Sequence, residues 1–190
     1  EYNDTFNESY GHIYYNKEFS NYKFRMQYRF IGEQLKDGAG WATRNSGIMV
    51  HCENPKNIGL HQKFPVCIEV QLLGGLDSGE RSTGNLCTPG INVFMNGELF
   101  TPHCVSSTSK TFYDEQWVNL EIIVNQDSIT HIINGEPVIS YSKPQIGGDL
   151  DDYSQEWKAK EGELLTGGYI SLQSESHPVE FKNIEILELD

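Results

Sequence analysis

The stretch Tyr22–Phe30, YKFRMQYRF, alternates apolar and polar residues through its whole length. Successive side chains of a β-strand point to opposite faces, so this period of two predicts a strand with one buried and one polar face. The same alternation recurs from one end of the chain to the other, whereas helical periodicity is scarce. The pattern therefore predicts an all-β fold.

Turn signals divide the rest of the chain into further short strands. Asn96-Gly97 and Asn134-Gly135 are strong hairpin signals, and both lie between apolar runs. Many short strands separated by turns are typical of two packed antiparallel sheets, and we expect a single β-sandwich domain spanning residues 1–190. The strands predicted after the first are 46–52, 66–73, 91–95, 98–101, 117–124, 128–133, 138–141, 169–175 and 179–189.

Composition limits the partners open to the chain. Its 190 residues carry a formal net charge of −13, which would repel nucleic-acid phosphates. No apolar stretch approaches the length of a membrane span. Residues 1–5 lack the basic and apolar regions of a signal peptide, so we expect any such peptide to have been removed.

The chain has four cysteines, at Cys52, Cys67, Cys87 and Cys104. No CxxC pair is present, which argues against a structural zinc site of the usual spacing. Cys87 and Cys104 flank the predicted hairpin, so their ends can meet and they are the favoured disulfide pair. The alternative is a set of buried free thiols. The cysteines favour a periplasmic or secreted protein.

The segment 147–162 is acidic and rich in glycine, with Asp149, Asp151 and Asp152 close together. A solvated loop, with room for a short helix at 153–158, is favoured over a Ca²⁺ site. The spacing does not follow the ligand pattern of an EF-hand loop.

Strand parity selects the side chains that share a polar face. In the predicted strand 66–73, Val66, Ile68, Val70 and Leu72 face the core. If the three strands that carry outward polar residues are neighbours, those residues line one groove; otherwise they are ordinary solvent-facing positions. The outward set is His51, Glu69, Gln71, Gln173 and Glu175.

Two further features favour a sugar site on this face. Arg44 and Asn45 supply planar donors and acceptors that suit the vicinal hydroxyls of a sugar. The second feature is a set of histidines, each of which also has a structural explanation: His51, His103, His131 and His177. His131 in particular fits a hydrogen-bonded core residue, and His177 precedes Pro178 and fits a turn.

The strand around Glu69 argues against ordinary glycoside hydrolysis. Sandwich glucanases draw two carboxylates from one strand in a Glu-x-Asp-x-Glu pattern. Here the corresponding strand reads Glu69-Val70-Gln71, with a single carboxylate. The sequence also lacks a GxSxG elbow, a P-loop and a HExxH helix.

The chain resembles the 3-keto-disaccharide hydrolase family in motifs that follow family order along nearly the whole sequence. The Asn-Ser-Gly, Glu-x-Gln and Gly-x-Ile-x-Leu-Gln elements are specific in combination. The usual N-terminal strand of the family is shortened, so we expect a first edge strand to be missing or trimmed. The matching segments are 41–49, 64–75, 85–90, 103–104, 116–118 and 168–182.

The resemblance implies a concanavalin A-like jelly-roll sandwich, exported, that cleaves glycosides oxidised to a ketone at C3. The ketone acidifies the C2 proton, so a base can remove it and the enolate expels the C1 substituent; water then adds back. A divalent cation is a second way to stabilise the enolate. The candidates implied are Glu69 or His51 as base, Arg44 or His103 for the enolate, Glu175 or His177 at the leaving group, and Gln71, Asn45 and Gln173 for the hydroxyls.

Two other functions remain open on the sequence. The same fold serves lectins, so a non-catalytic carbohydrate-binding module is the main alternative, with Trp41 or Tyr169 as an aromatic platform. A structural or adhesion domain is the other.

Overall fold

A computed structural model describes residues 5–6, 9–60, 62–150 and 153–190 of the chain. Nearly all regular structure in this part is β. The strands are Gly11–Tyr14 (β1), Tyr22–Phe30 (β2), Asn45–Cys52 (β3), Ile68–Leu73 (β4), Asn85–Cys87 (β5), Ile91–Met95 (β6), Glu98–Phe100 (β7), Cys104–Val105 (β8), Val118–Asn125 (β9), Ser128–Ile133 (β10), Glu136–Ile146 (β11), Tyr169–Ser174 (β12) and Val179–Glu188 (β13). One short helix, α1, spans Gln155–Ala159, and a 3-10 turn spans Gly40–Ala42.

The described strands form two antiparallel sheets. One sheet has the order β1-β12-β3-β4-β5-β8, and the other has the order β13-β2-β9-β10-β11-β6-β7. Sequential strands repeatedly cross from one sheet to the other, as β2 to β3 and β11 to β12 do. The architecture is the predicted jelly-roll sandwich.

The core lies between the sheets and is built from the alternation seen in the sequence. Tyr22, Phe24, Met26, Tyr28 and Phe30 of β2 are all buried, and the intervening residues are more exposed. They belong to one cluster with the inward apolar residues of β3 and β4. Each large side chain buried in this way contributes roughly 1.5–3 kcal/mol.

Both predicted hairpin turns are present. Asn96 and Gly97 have φ of 53° and 85°, and Asn134 and Gly135 have φ of 50° and 85°. Two successive positive φ angles are those of a type I′ turn, which Asn-Gly adopts readily.

Four strands differ from the sequence expectation. The first edge strand, expected to be missing or trimmed, is present as β1, which pairs with β12. At four residues it is too short to show periodicity. β5 and β8 are shorter still, and β11 extends well beyond the predicted 138–141.

The predicted disulfide is confirmed. Cys87 and Cys104 are bonded across β5 and β8, with their Cα atoms 4.1 Å apart. Cys52 and Cys67 are buried free thiols. His131 is a fully buried core residue, as predicted, with Nδ1 2.8 Å from the Gly84 carbonyl and Nε2 2.8 Å from the Tyr141 hydroxyl.

The acidic segment contains the short helix that the sequence allowed. Ser154 caps α1 by accepting the Trp157 N–H, and the Trp157 indole donates to Glu53. Asp151 and Asp152 lie outside the described residues, so the structure does not test a Ca²⁺ site there. No helix in the described part of the chain has the length and apolarity to cross a membrane.

Candidate functional site

The outer face of the six-stranded sheet carries most of the predicted polar residues. Register places Gly47 beside Gln71 of β4, and places Met49 beside both Glu69 of β4 and Ser171 of β12. β3 is therefore the centre of this face, with β4 on one side and β12 on the other. The face as a whole brings together Glu69, Gln71, Gln173 and Glu175, which parity predicted to share one surface, with Asn45 at the start of β3.

Gly47 forms the floor of a small pocket on this face. A Cβ atom built on Gly47 would lie 2.7 Å from Glu69 Oε1 and 3.1 Å from Gln173 Oε1. The two side chains thus meet over the glycine from opposite sides of β3. Only a residue without a side chain leaves room for both.

Several polar atoms around this pocket are buried without a partner. Among the described residues, Asn45 Oδ1, the Ser171 hydroxyl, both amide atoms of Gln173 and Glu175 Oε2 have no hydrogen-bond partner. His12, which lies opposite Gln173 on β1, has an unpartnered Nε2. Each such group costs about 1–3 kcal/mol when it is buried. A cluster of them indicates a surface prepared for a polar ligand.

Two carboxyl groups in the pocket have shifted pKa values. Burial raises the pKa of Glu69 well above its usual range, and the charge of Glu175 raises it further. Burial raises the pKa of Glu175 to about 7, although the charge of nearby Arg81 and the Gln173 amide, which approaches the carboxylate outside full hydrogen-bond geometry, lower it. Burial and the charge of Glu175 therefore both favour the protonated form of Glu69.

Arg81 binds the backbone of the segments that precede β3 and follow β4. Its guanidinium donates to the carbonyl oxygens of Thr43 at 2.7 Å, Gly74 at 2.9 Å and Trp41 at 3.3 Å. Arg44, the predicted sugar ligand, donates to backbone carbonyl oxygens of Gly75 and Asp114. Both cations therefore stand at the edge of the pocket with their geometry fixed by backbone.

The outer face is covered by residues near the N-terminus. Phe6 donates its N–H to the Lys36 carbonyl and is 6% exposed. The Tyr10 ring stacks on Phe64 at 5.0 Å and lies 6.1 Å from the Trp41 ring. Trp41 precedes β3 and Phe64 precedes β4, so the two rings come from opposite ends of an antiparallel pair. Tyr10 therefore joins the two rings that precede β3 and β4.

A sulfur-containing cluster occupies the other end of the same face. Met49, Cys52 and Cys67 are buried together, with Tyr14 and Tyr169 packed against them. The Tyr14 hydroxyl is 3.0 Å from Cys52 Sγ. Tyr169, a predicted platform, also accepts a hydrogen bond from Asn54.

His51 does not face outward as parity predicted. It has φ of 49° and lies at a register shift between β3 and β12. This irregularity turns its ring inward, where it packs edge-on against the buried Tyr22 ring at 6.5 Å. His51 is thus separated from the pocket by the sheet itself.

The remaining candidates occupy different positions. His103 is exposed and lines a separate cavity of about 320 Å³ with Phe64, Thr88 and Tyr153. His177 is buried against Phe30, and burial together with Arg44 and Arg81 lowers its pKa to about 4. Trp41 stands at the rim, 55% exposed.

Sequence reasoning missed several members of the site. One of them is Asn85, whose amide donates to Oε1 of the predicted Gln71 at 3.1 Å. His12, Ser171, Arg81 and Tyr10 were also not predicted. Ser171 has the same strand parity as Gln173 on β12, whereas His12 and Tyr10 lie in a region with no clear period.

The described residues do not offer a ready site for a divalent cation. Nowhere in the ranges that the structure describes do three His, Cys, Asp or Glu side chains group as metal ligands.

Known structures share this fold. A candidate glycosyl hydrolase from Parabacteroides distasonis is 17% identical with a TM-score of 0.59, covering 95% of this chain and 84% of its own. A Bacillus subtilis protein with a galectin-like fold is 10% identical with a TM-score of 0.58, covering 94% and 77%. The carbohydrate-binding module CBM66 from Bacillus subtilis is 11% identical with a TM-score of 0.51, covering 94% and 81%. At these identities the likeness concerns the fold alone.

Sequence comparison identifies the family. No match to a curated protein sequence was found. The family profile described as the 3-keto-alpha-glucoside-1,2-lyase-like domain matches residues 3–187. Because this match extends over nearly the whole chain, the protein is a carbohydrate-active member of the 3-keto-alpha-glucoside-1,2-lyase-like domain family.

Proposed function

We propose that the protein cleaves glycosides whose sugar carries a ketone at C3, by removing the C2 proton, eliminating the C1 substituent and adding water. The observation that carries this proposal is a pair of buried carboxyls: Glu69 lies over Gly47, and Glu175 is close enough for its charge to raise the pKa of Glu69, while its own pKa is about 7. Two carboxyls whose pKa values are pushed apart in one pocket are suited to act as base and acid. Family membership supplies the substrate class.

Glu175 is the proposed base. Its pKa of about 7 allows it to be ionised at neutral pH while still binding a proton well, which is the optimum for a general base. This differs from the sequence-based hypothesis, which gave the role of base to Glu69 or His51. His51 points into the core, and Glu69 is the more strongly protonated carboxyl.

Glu69 is the proposed proton donor to the leaving group. Burial, together with the charge of Glu175, keeps its pKa well above the usual range, so it carries a proton when the base is ready. When the C1–O bond breaks, Glu69 gives this proton to the departing oxygen. In the second half, water adds at C1 and loses its proton to Glu69, while Glu175 returns its proton to C2. Atoms and charges then balance to net hydrolysis.

The unpartnered amide and imidazole groups are proposed to bind the sugar. The Gln173 amide and His12 Nε2 are placed to hydrogen-bond a ketone oxygen or its enolate without giving up an existing partner. Such preorganised donors stabilise developing charge without reorganisation. Asn45 and Ser171 would hold ring hydroxyls. Gln71, already bonded to Asn85, is proposed to orient a hydroxyl from a fixed position.

Arg44 and His177 are proposed to act near the rim rather than on the enolate. Arg44 is held by two backbone carbonyls, and His177 is kept neutral by burial and by the neighbouring guanidinium groups. His103, in its separate cavity, is not assigned a step. We also propose export to the periplasm or cell exterior, because the Cys87–Cys104 disulfide suits an oxidising compartment.

The test compares aglycone release from a 3-keto-glucoside and from the plain glucoside. Wild-type protein should release aglycone from the keto sugar alone, and Glu175→Gln and Glu69→Gln should each lower kcat/KM by about 10²–10⁴-fold. Glu98→Gln, an exposed carboxylate on β7, is the matched control and should keep wild-type activity.

Substrate in heavy water separates the two roles. Glu69→Gln should still exchange the C2 proton while failing to release aglycone, and Glu175→Gln should do neither. Absence of release from the keto sugar by wild-type protein, with and without added divalent metal, would sink the enzymatic proposal. Release by Glu175→Gln at the wild-type rate would remove Glu175 as the base.

A carbohydrate-binding module is the second candidate. The ring set of Tyr10, Trp41 and Phe64 at the mouth of the pocket favours it, because aromatic faces bind sugar rings without chemistry. A binding titration with the same two glucosides distinguishes the enzyme from the binding module. Binding of both glucosides without release of aglycone would support the binding module.

A further inference from the structure

The two cysteine pairs occupy equivalent positions in the six-stranded sheet. Cys87 lies opposite Cys104, and the next residue, Thr88, donates its N–H to the His103 carbonyl at 2.8 Å. In the other pair the residue after Cys52, which is Glu53, donates its N–H to the Val66 carbonyl at 2.9 Å. Val66 immediately precedes Cys67. The same backbone bond therefore flanks both pairs on the same side.

This bond places Cys52 opposite Cys67. In an antiparallel pair, the residues next to a hydrogen-bonded position face each other at the close spacing, with Cα atoms about 4.5 Å apart. Cys87 and Cys104 show this spacing at 4.1 Å. Val50 pairs with Ile68, so an unbroken register would put Cys52 beside Val66. The irregularity at His51, with φ of 49°, inserts the extra residue that aligns the cysteines.

The two thiols also share one face and one environment. Cys67 Sγ lies 3.5 Å from Met49 Sδ, and Cys52 Sγ lies 3.0 Å from the Tyr14 hydroxyl. Burial raises the pKa of Cys67, and direct interaction with the Cys52 thiol raises it further. The thiols are 1% and 0% exposed. Tyr14, which covers them, belongs to the four-residue edge strand β1.

We propose that Cys52 and Cys67 form a second cross-strand disulfide, reversible by thiol–disulfide exchange. One thiolate attacks a small-molecule disulfide of the glutathione class and forms a mixed disulfide, releasing one thiol. The second cysteine then attacks the mixed disulfide and releases the second thiol. The protein loses two electrons and two protons, and the reagent gains both. Exchange requires β1 to open, so it is slow in the folded protein and fast during folding.

Oxidation has a local consequence on the outer face. The bond would tie β3 to β4, the strands that carry Gly47 and Glu69, and it would replace the thiol that now pairs with the Tyr14 hydroxyl. This inference rests on sheet register and does not depend on the proposed function.

Tryptic mapping distinguishes the two pairs directly. Cleavage after Arg44, Lys56, Lys63, Arg81 and Lys110 puts Cys52 in peptide 45–56 and Cys67 in peptide 64–81, whereas Cys87 and Cys104 stay together in peptide 82–110. The native disulfide therefore joins no separate peptides, and the proposed one joins two.

The experiment uses the wild-type chain refolded in oxidised and in reduced glutathione, then unfolded in an alkylating reagent and digested. The linked 45–56/64–81 species should be present in the oxidised sample, lost in the reduced sample and lost again after reduction of the oxidised one. The Cys87→Ser/Cys104→Ser double variant should still form it. Full alkylation of Cys52 and Cys67 in a sample whose peptide 82–110 keeps its disulfide would overturn the proposal. A link from Cys52 to Cys87 or Cys104 would overturn it as well.

Discussion

The two faces of β3 are equally buried and chemically opposite. All eight residues of Asn45–Cys52 are buried. On the inner face, Ile48 and Val50 belong to the large apolar core between the sheets. On the outer face, Asn45 and Gly47 border a pocket in which several polar atoms of the described residues have no partner. One strand thus separates an apolar surface packed against the opposite sheet from a buried polar surface.

The difference concerns what burial does for stability. Apolar area removed from water stabilises the fold by roughly 25 cal/mol per Å². A polar group buried without a partner destabilises it by about 1–3 kcal/mol. Burial of the inner face therefore stabilises the sandwich, whereas burial of the unpartnered polar groups on the outer face lowers its free energy of unfolding. Such an arrangement is expected where a ligand completes the missing hydrogen bonds.

The largest effect on stability is expected from the inner face. Leu72→Ala removes a fully buried core side chain on β4, and we expect the free energy of unfolding to fall by about 2–5 kcal/mol. Urea denaturation measures the change. Activity per folded molecule should be unchanged, because Leu72 points away from the pocket. A loss below about 1 kcal/mol would mean that the core relaxes around the cavity.

The next effect is a dependence on pH confined to the outer face. The pKa of Glu175 is raised from 4.5 to about 7, so its protonated form stabilises the fold fully below pH 4.5. This stabilisation disappears as the pH rises to 7. The free energy of unfolding of wild type minus that of Glu175→Gln should therefore fall by about 3 kcal/mol between pH 4.5 and 7.

Comparison with a variant is essential for this measurement. Burial lowers the pKa of His12, His51 and His177 to about 4, so these groups contribute stability above pH 6.5 that is lost toward pH 4, in the opposite direction. They are present in both proteins and cancel in the difference. Glu98→Gln, on the exposed β7, should give a flat difference. A flat difference for Glu175→Gln would contradict its placement in the pocket.

The smallest expected effect comes from a substitution that raises stability and lowers activity. Gln173→Met keeps the volume of a buried side chain whose amide nitrogen and oxygen both lack partners. We expect thermal unfolding to report a gain of about 1 kcal/mol, because an unsatisfied polar group is removed. Turnover of a 3-keto-glucoside should fall at the same time. A loss of stability in this variant would show that Gln173 has a structural role. It would contradict the claim that buried polar groups on the outer face destabilise the fold.

Local patterns were sufficient to predict the fold and part of the site. A period of two is visible in any strand of six residues or more, and it placed Glu69, Gln173 and Glu175 on one face correctly. The hairpin turns and the Cys87–Cys104 pair followed from short-range signals as well. The sequence did not predict β1, β5 and β8, because strands of two to four residues show no period.

Other features depend on contacts between distant segments. One irregular residue reversed His51, and nothing in the sequence distinguishes a His with positive φ from one in a regular strand. The second carboxyl of the pocket comes from the end of β12, far along the chain from Glu69, so counting carboxylates on one strand underestimated the site. The cover over the pocket depends on Tyr10 reaching rings that lie 31 and 54 residues away.

Gly47 offers a way to sort the relatives of this chain before any of them is assayed. A methyl group at this position would collide with the far end of the Glu69 side chain rather than with backbone, so the sandwich would persist while the carboxylate moved aside. A family member with alanine or serine here should fold, and a sugar-binding relative would then differ from an enzyme by a single substitution. A relative can thus keep the fold and lose the activity, and the residue aligned with Gly47 would identify such a relative.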